Sequence, residues 1–191
     1  IGYISKEDAI NAGLTGPVLR GSGVAYDVRR NFPYLIYDRL DFEIPVCDDG
    51  DVYSRYLVRM EELEQSMKIV HQCLKDFPDG PVNVFDHNIT LPEKMEVYNT
   101  IEGLIHHFKN IMRGHGFEVP VGDIYDATEA PNGELGFYIV ADGSNKAYRL
   151  RVRPPSFVNY SAFNQMVTGD MISDVVAVLG SLNIIAGELD R

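Results

Sequence analysis

Leu135-Gly136-Phe137-Tyr138-Ile139-Val140-Ala141-Asp142-Gly143-Ser144-Asn145-Lys146-Ala147-Tyr148-Arg149-Leu150-Arg151-Val152-Arg153 is the stretch on which the fold class turns. Two runs rich in β-branched and aromatic residues, Leu135–Ala141 and Ala147–Arg153, flank Asp142-Gly143-Ser144-Asn145, whose residue types suit a reversal of the chain. The reading is a β-hairpin. In its second strand Tyr148, Leu150 and Val152 fall on one face and Arg149, Arg151 and Arg153 on the other, because strand side chains alternate. Pro154-Pro155 ends it.

Upstream the period is helical. Tyr56, Met60, Leu63, Met67, Val70, Leu74 and Phe77 recur in steps of three and four, which predicts a long helix from about Val52 to Phe77 with one apolar stripe. Pro78 and Gly80 stop it. A second helix is expected from about Pro92 to Arg113, with Thr90-Leu91-Pro92-Glu93 as a capping box, a stripe of Val97, Ile101, Leu104, Phe108 and Ile111, and Gly114 past its end. Two such stripes predict antiparallel neighbours in a bundle. Short helices are expected at Ser156–Met166 and Asp170–Leu179, the latter followed by Gly180. Another opens at Ser5, with Asp8 three residues on. Leu14–Gly23 reads as a glycine-rich loop, and Glu129-Ala130-Pro131-Asn132-Gly133-Glu134 as a turn before the hairpin. The fold class is α+β, mainly α: a helix bundle with a β-hairpin. No linker divides residues 1–191, so a single domain is expected.

The chain carries 28 acids against 17 bases, a formal charge of −11, which opposes nonspecific nucleic-acid binding. No apolar run approaches the ~20 residues that span a bilayer. Cys47 and Cys73 are too few and too separated for a cysteine-built metal site and read as free thiols. His106 and His107 diverge on one helix, and His71, His87 and His115 lie in other segments, so no metal site is expected. Asp170 and Asp174 are one helical turn apart. They could relay protons or bind metal, but suit a helix N-terminus better. No nucleophile motif and no dinucleotide-binding glycine pattern is present, so no catalytic residue is assigned.

Arg55, Arg59 and Glu62 pair along the polar side of the first long helix. That side is either a solvated face or an ion-pair network that meets another subunit. Arg149, Arg151 and Arg153 either pair with acids of this chain or form a partner surface.

Several motifs in fixed order resemble one family. They are Thr15-Gly16-Pro17-Val18-Leu19-Arg20-Gly21-Ser22-Gly23, Asp27-Val28-Arg29-Arg30, Pro33-Tyr34, Tyr53-Ser54-Arg55-Tyr56-Leu57-Val58-Arg59-Met60-Glu61-Glu62 and Ile105-His106-His107-Phe108-Lys109. Further on come Glu129–Glu134, Asp142-Gly143-Ser144, Arg153-Pro154-Pro155-Ser156-Phe157 and the tail Asn183-Ile184-Ile185-Ala186-Gly187-Glu188-Leu189-Asp190-Arg191. The family is the D subunit of the proton-pumping NADH–quinone oxidoreductase, respiratory complex I, itself related to the large subunit of nickel–iron hydrogenases. The resemblance implies a hydrogenase-large-subunit-like fold and a chain that is the C-terminal part of a longer protein, since it starts at Ile1 in full pattern.

The resemblance further implies one wall of the quinone chamber, with Asn183, Ile185, Asp190 and Arg191 as quinone-binding residues. It implies a contact surface to the iron–sulfur B subunit, with Arg20, Arg55, Arg59, Glu62, Arg149, Arg151 and Arg153 at contacts between subunits. Quinone is the implied substrate, with electrons passing from NADH and coupled to proton translocation. FMN and the iron–sulfur clusters are implied on partner subunits, and neither a cofactor nor NADH on this chain. The implied partners are the B, C and I subunits and the membrane arm, and the implied location is the peripheral arm on the cytoplasmic side of the inner membrane (the matrix side in a mitochondrion). The family has aspartate where this chain has Asn183, and valine where it has Ile185. The histidine and tyrosine that bind the quinone headgroup lie in an N-terminal segment not matched here, so this chain alone is expected to be inactive. Two alternatives compete: a hydrogenase-like large subunit, opposed by a tail without cysteine, and a module that only bridges subunits.

Overall fold

The computed structural model describes residues 1–112 and 119–190. The expected helix end at Arg113-Gly114, His115, and the tail residue Arg191 lie outside the described residues. The contacts cluster into two compact units. Unit 1 comprises residues 1–77, 126–137 and 152–191, and unit 2 comprises residues 78–125 and 138–151. Unit 2 is two separate inserts entered through strands, so no linker of distinctive composition marks it in the sequence.

In unit 1, α1 (Lys6–Asn11) starts where expected: the Ser5 hydroxyl accepts from the Asp8 backbone N–H at 3.1 Å. The glycine-rich stretch expected to be loop instead holds a buried helix, α2 (Gly16–Arg20). Pro17 at its first turn needs no hydrogen-bond partner for its nitrogen, which starts the helix despite the flanking glycines. A short α3 (Val28–Asn31) is capped by Asp27.

The long helix, α4 (Val52–Lys75), forms as predicted, with Asp51 as its N-cap. Its orientation reverses the expectation. The seven stripe residues from Tyr56 to Phe77 are 48% to 77% exposed, whereas Ser54, Arg55, Val58 and Gln65 are buried. The inward face is polar because the chain supplies partners for it. Gln65 accepts from the Glu43 backbone N–H at 3.1 Å, and Gln72 exchanges hydrogen bonds with the backbone of Asp41, which lays the extended segment around Phe42 along the helix. A buried polar side chain with its hydrogen bonds made costs little.

α4 packs against α2 and against α9 (Asp174–Leu182). The expected helix over Ser156–Met166 is two short ones, α7 (Pro155–Ser161) and α8 (Phe163–Val167). α9 starts later and ends later than expected, running through Gly180. The tail forms one more turn, α10 (Ala186–Leu189), which packs on α7. The apolar core of unit 1 gathers Ile4, Ala9, Leu14, Val18, Met166, Val178 and Leu182.

In unit 2 the expected single helix is two, α5 (Lys94–Asn99) and α6 (Ile101–Ile111), broken at Thr100, whose extended backbone makes it the N-cap of α6. Thr90 does not cap; its hydroxyl donates to the Asp86 carbonyl at 2.9 Å. Gly103 is required where α6 meets α5, since a Cβ there would lie 2.6 Å from the Glu96 carbonyl oxygen. Ile101, Leu104, Phe108 and Ile111 are exposed.

The hairpin is present as β2 (Gly133–Ala141) and β3 (Ala147–Arg153), and a third strand, β1 (Gly122–Ala130), precedes it in a sheet of order β1-β2-β3. The structure is thus α+β, with a small sheet rather than a lone hairpin. β1 was not expected from the sequence because Asp123, Asp126 and Glu129 dilute its β-formers; it is an edge strand, where little alternation is needed. The expected turn at Glu129–Glu134 narrows to Pro131-Asn132 between β1 and β2.

Candidate functional site: a buried charge cluster joined to the tail

Several of the family motifs, far apart in sequence, meet in unit 1. Arg20, on the last turn of α2, is 2% exposed. Its guanidinium reaches Glu62 of α4 (2.5 Å), Glu129 of β1 (2.9 Å) and, more distantly, Asp27 (3.6 Å), and it donates to the Tyr26 carbonyl at 2.9 Å. Asp27, fully buried, caps α3 and binds Arg29 through both carboxylate oxygens. The second oxygen of Glu129 accepts from the Val28 N–H at 3.1 Å, and the Glu129 N–H donates to the Tyr34 hydroxyl.

Burial and pairing pull the two acids in opposite directions. For Asp27 burial raises the pKa, but the hydrogen bonds and charge of Arg29, with the charge of Arg20, outweigh it and leave the pKa below the ordinary value. For Glu129 burial is the stronger influence and holds the carboxyl above its ordinary value despite Arg20. Removing one arginine from an acid cluster of this kind leaves a buried carboxylate without its partner and is strongly destabilising.

The turn Pro131-Asn132 anchors the tail. Asn132, buried, donates to the Asn183 carbonyl at 2.8 Å and accepts from the Asn183 side-chain amide at 2.7 Å. Asn159 of α7, fully buried, accepts from the Thr15 N–H and donates to the Asn132 carbonyl. Ser156 donates its N–H to Glu188 and accepts weakly from the Ile185 N–H at 3.4 Å. Asn183 closes α9 with a left-handed backbone (φ 54°), a conformation that asparagine tolerates better than most residues. Asn183→Ala is expected to lose about 2 kcal/mol, from the left-handed strain and the lost hydrogen bond. Asn183→Gly, which keeps the backbone freedom, is expected to lose about half of that. Urea unfolding of both variants separates the two contributions.

A cavity of about 470 Å³ opens beside the cluster, lined by Arg20, Arg29, Arg59, Glu62, Leu63, Ser66, Glu129, Ala130, Pro131 and Asn183. It therefore unites Asn183 with Arg20, Arg59 and Glu62 from the residues singled out in the sequence. Ile185 is 51% exposed and does not line it. Asp190 is exposed at the end of α10.

Arg20 and Arg55 offer no surface to a partner in this structure. Arg55 is wholly buried and donates to the carbonyls of Gly2 and Gly50 and to the Ser181 hydroxyl, with no carboxylate in reach among the described residues. Burial, reinforced by the charge of Arg59, pushes it down to about 10, still above neutral pH, so it remains a cation. The Arg55 side chain turns to other segments, and Arg59, without an ion pair to Glu62, donates to the Arg55 carbonyl of its own helix at 3.3 Å. Arg153 is half-buried and donates to the carbonyls of Glu134 and Gly13, while Arg149 and Arg151 are exposed; none of the three makes an ion pair with an acid among the described residues. Asp170 accepts from the Gly2 N–H and Asp174 from the Met171 N–H. No group of three or more metal-ligating side chains is assembled among the described residues.

In the sequence Asp27, Arg29 and Glu129 stand as landmarks without an assigned role, and Asn132 and Asn159 do not stand out singly. The available signal was an arginine and acids inside otherwise apolar, glycine-bounded motifs, a pattern that burial with pairing produces.

The family model described as the 49 Kd subunit of respiratory-chain NADH dehydrogenase matches residues 1–191. A protein of Geotalea uraniireducens, named as the D subunit of NADH-quinone oxidoreductase, is 53% identical over all of this chain and 48% of its own length. One of Bdellovibrio bacteriovorus, named as the C/D subunit of NADH-quinone oxidoreductase, is 53% identical over 98% of this chain and 33% of its own length. One of Ehrlichia ruminantium, also named as the D subunit, is 49% identical over the full chain and 48% of its own length. The chain spans about half the length, or less, of these curated relatives. With a match that runs from its first residue to its last, this chain belongs to the family of the 49 kDa subunit of respiratory-chain NADH dehydrogenase.

Proposed function

We propose that this chain forms part of the quinone-facing wall of an NADH–quinone oxidoreductase and a contact surface for the iron–sulfur protein that delivers electrons there. The observation that carries the reading is the tail. Asn183 is clamped by Asn132, and the next residues emerge with the apolar Ile185 half exposed, a surface suited to a prenylated ring. Asp190 and Arg191 complete the proposed wall. Electrons come from NADH through FMN and iron–sulfur clusters held by other subunits, and the reduction is coupled to proton translocation.

The B, C and I subunits and the membrane arm are the proposed neighbours; for C, the relative named as a C/D subunit supports the pairing. Arg59, Glu62, Arg149 and Arg151 remain the candidates for contact with them. The exposed apolar stripe of α4 supports a life inside a larger assembly, since a patch of this kind is rarely left in water. No helix among the described residues is long and apolar enough to cross a membrane. The proposed location is the peripheral arm, on the cytoplasmic or matrix side.

The test is Ile185→Trp in the assembled complex. The expected outcome is a loss of quinone reductase activity or of quinone-site inhibitor binding, by about tenfold or more, with assembly intact. Full activity and inhibitor binding in an assembled variant would leave the chain with a bridging role only.

A further inference from the structure

The cavity beside the charge cluster is lined by one arginine that makes no ion pair among the described residues. Of its three lining arginines, Arg20 is matched by Glu62 and Glu129, and Arg29 by Asp27. Arg59 makes no ion pair among the described residues. Its Nη1 donates to the Arg55 carbonyl at 3.3 Å, and its Nη2 is buried with no hydrogen-bond partner. A buried guanidinium nitrogen without an acceptor is rare and costly, and Arg59 lines a cavity through which an acceptor can approach its side chain. Burial lowers the Arg59 pKa; the nearby charge of Glu62 raises it and that of Arg20 lowers it, and the balance stays below the ordinary value.

We propose that this cavity is a carboxylate-binding site in which one carboxylate pairs with the Arg59 guanidinium. The acids of the cavity select the ligand. Glu62 and Glu129 line the space, so a dianion such as phosphate would bring more negative charge against two carboxylates than a monoanion does. A planar monoanion matches the fork of a guanidinium. Leu63, Ala130 and Pro131 offer apolar wall for a short aliphatic stem. The carboxylate belongs either to a soluble acid or to an acidic side chain of a neighbouring polypeptide. The site does not depend on the quinone role of the tail.

The experiment is saturation-transfer NMR of butyrate with the purified full-length protein at constant ionic strength, with inorganic phosphate at pH 8 as competitor. Butyrate is expected to bind, phosphate to compete poorly, Arg59→Gln to weaken binding by about tenfold or more, and Arg59→Lys to retain part of it. Leu63→Trp, at a position 59% exposed and so tolerant of change, is expected to block the cavity and abolish binding even where Arg59→Gln fails to fold. Absence of butyrate binding, equal binding by Leu63→Trp, or displacement by phosphate as effective as by unlabelled competing acetate at the same concentration overturns the proposal. In the assembled complex, retained butyrate binding identifies a soluble acid as the ligand. Binding confined to the free protein identifies a neighbour's side chain.

Discussion

Replacing Arg20 with alanine is expected to cost the fold about 3–5 kcal/mol, the usual penalty for removing one partner of a buried ion pair. Arg20 answers Glu62 and Glu129 directly and Asp27 at longer range. Glu129 and Asp27 have side chains 4% and 0% exposed, so water cannot replace the guanidinium. Urea unfolding at pH 7 is the measurement. A second variant separates lost charge from lost packing. Arg20→Met with Glu129→Gln removes both members of one pair, and the glutamine oxygen can still accept from the Val28 N–H. It is expected to recover at least about 1–2 kcal/mol of the loss.

The pH dependence of Arg20→Ala carries a definite sign. Burial already holds Glu129 above its ordinary pKa, and removing the cation raises it further. A carboxyl whose folded pKa exceeds its unfolded value contributes stability fully below the unfolded pKa and loses it as pH rises through the folded pKa. The penalty of Arg20→Ala is therefore expected to be smaller at pH 5 than at pH 8. An equal penalty at both would mean that Glu129 keeps its charge without Arg20.

The second large effect is expected at Gly16. Its φ is +68°, and a Cβ there would lie 2.5 Å from the Gly133 Cα and 2.6 Å from the Asn132 carbonyl oxygen. Gly133 is equally constrained from the other side, with φ +134° and a Cβ position 2.5 Å from the Thr15 hydroxyl oxygen. The start of α2 and the turn between β1 and β2 thus touch backbone to backbone, and neither can move away without breaking the Asn159 and Asn132 hydrogen bonds that hold the tail. Gly16→Ala combines left-handed strain with a clash against main chain, together about 3–5 kcal/mol. Calorimetric unfolding measures it. Gly187→Ala, with nothing near its Cβ position, is the matched control and is expected to change stability little.

Family membership follows from Thr15–Gly23, Glu129–Glu134 and the tail read as words, because each is a sequence-local pattern. The geometry behind those words was not legible. Gly16 and Gly133 are separated by more than a hundred residues, and only the folded chain shows that each is a glycine because of the other. The charge cluster is similar. Arg20, Asp27, Glu62 and Glu129 come from α2, the α3 cap, α4 and β1, and nothing in their spacing announces that they converge.

Local patterns by themselves determined the start of α1 at Ser5, the length of α4, the hairpin of β2 and β3, and the family. Each rests on forces acting over a few residues: capping, helical period, strand alternation and turn chemistry. Tertiary structure alone decided which face of α4 turns inward. Period locates a stripe without saying what will cover it, and here the polar face found carbonyls, amides and carboxylates across the chain while the apolar face remained in solvent. Tertiary structure also broke the second helix at Thr100, added β1 at the sheet edge, and left Arg59 beside an open cavity without an ion pair among the described residues. These outcomes are sums of long-range contacts, which a linear pattern does not record.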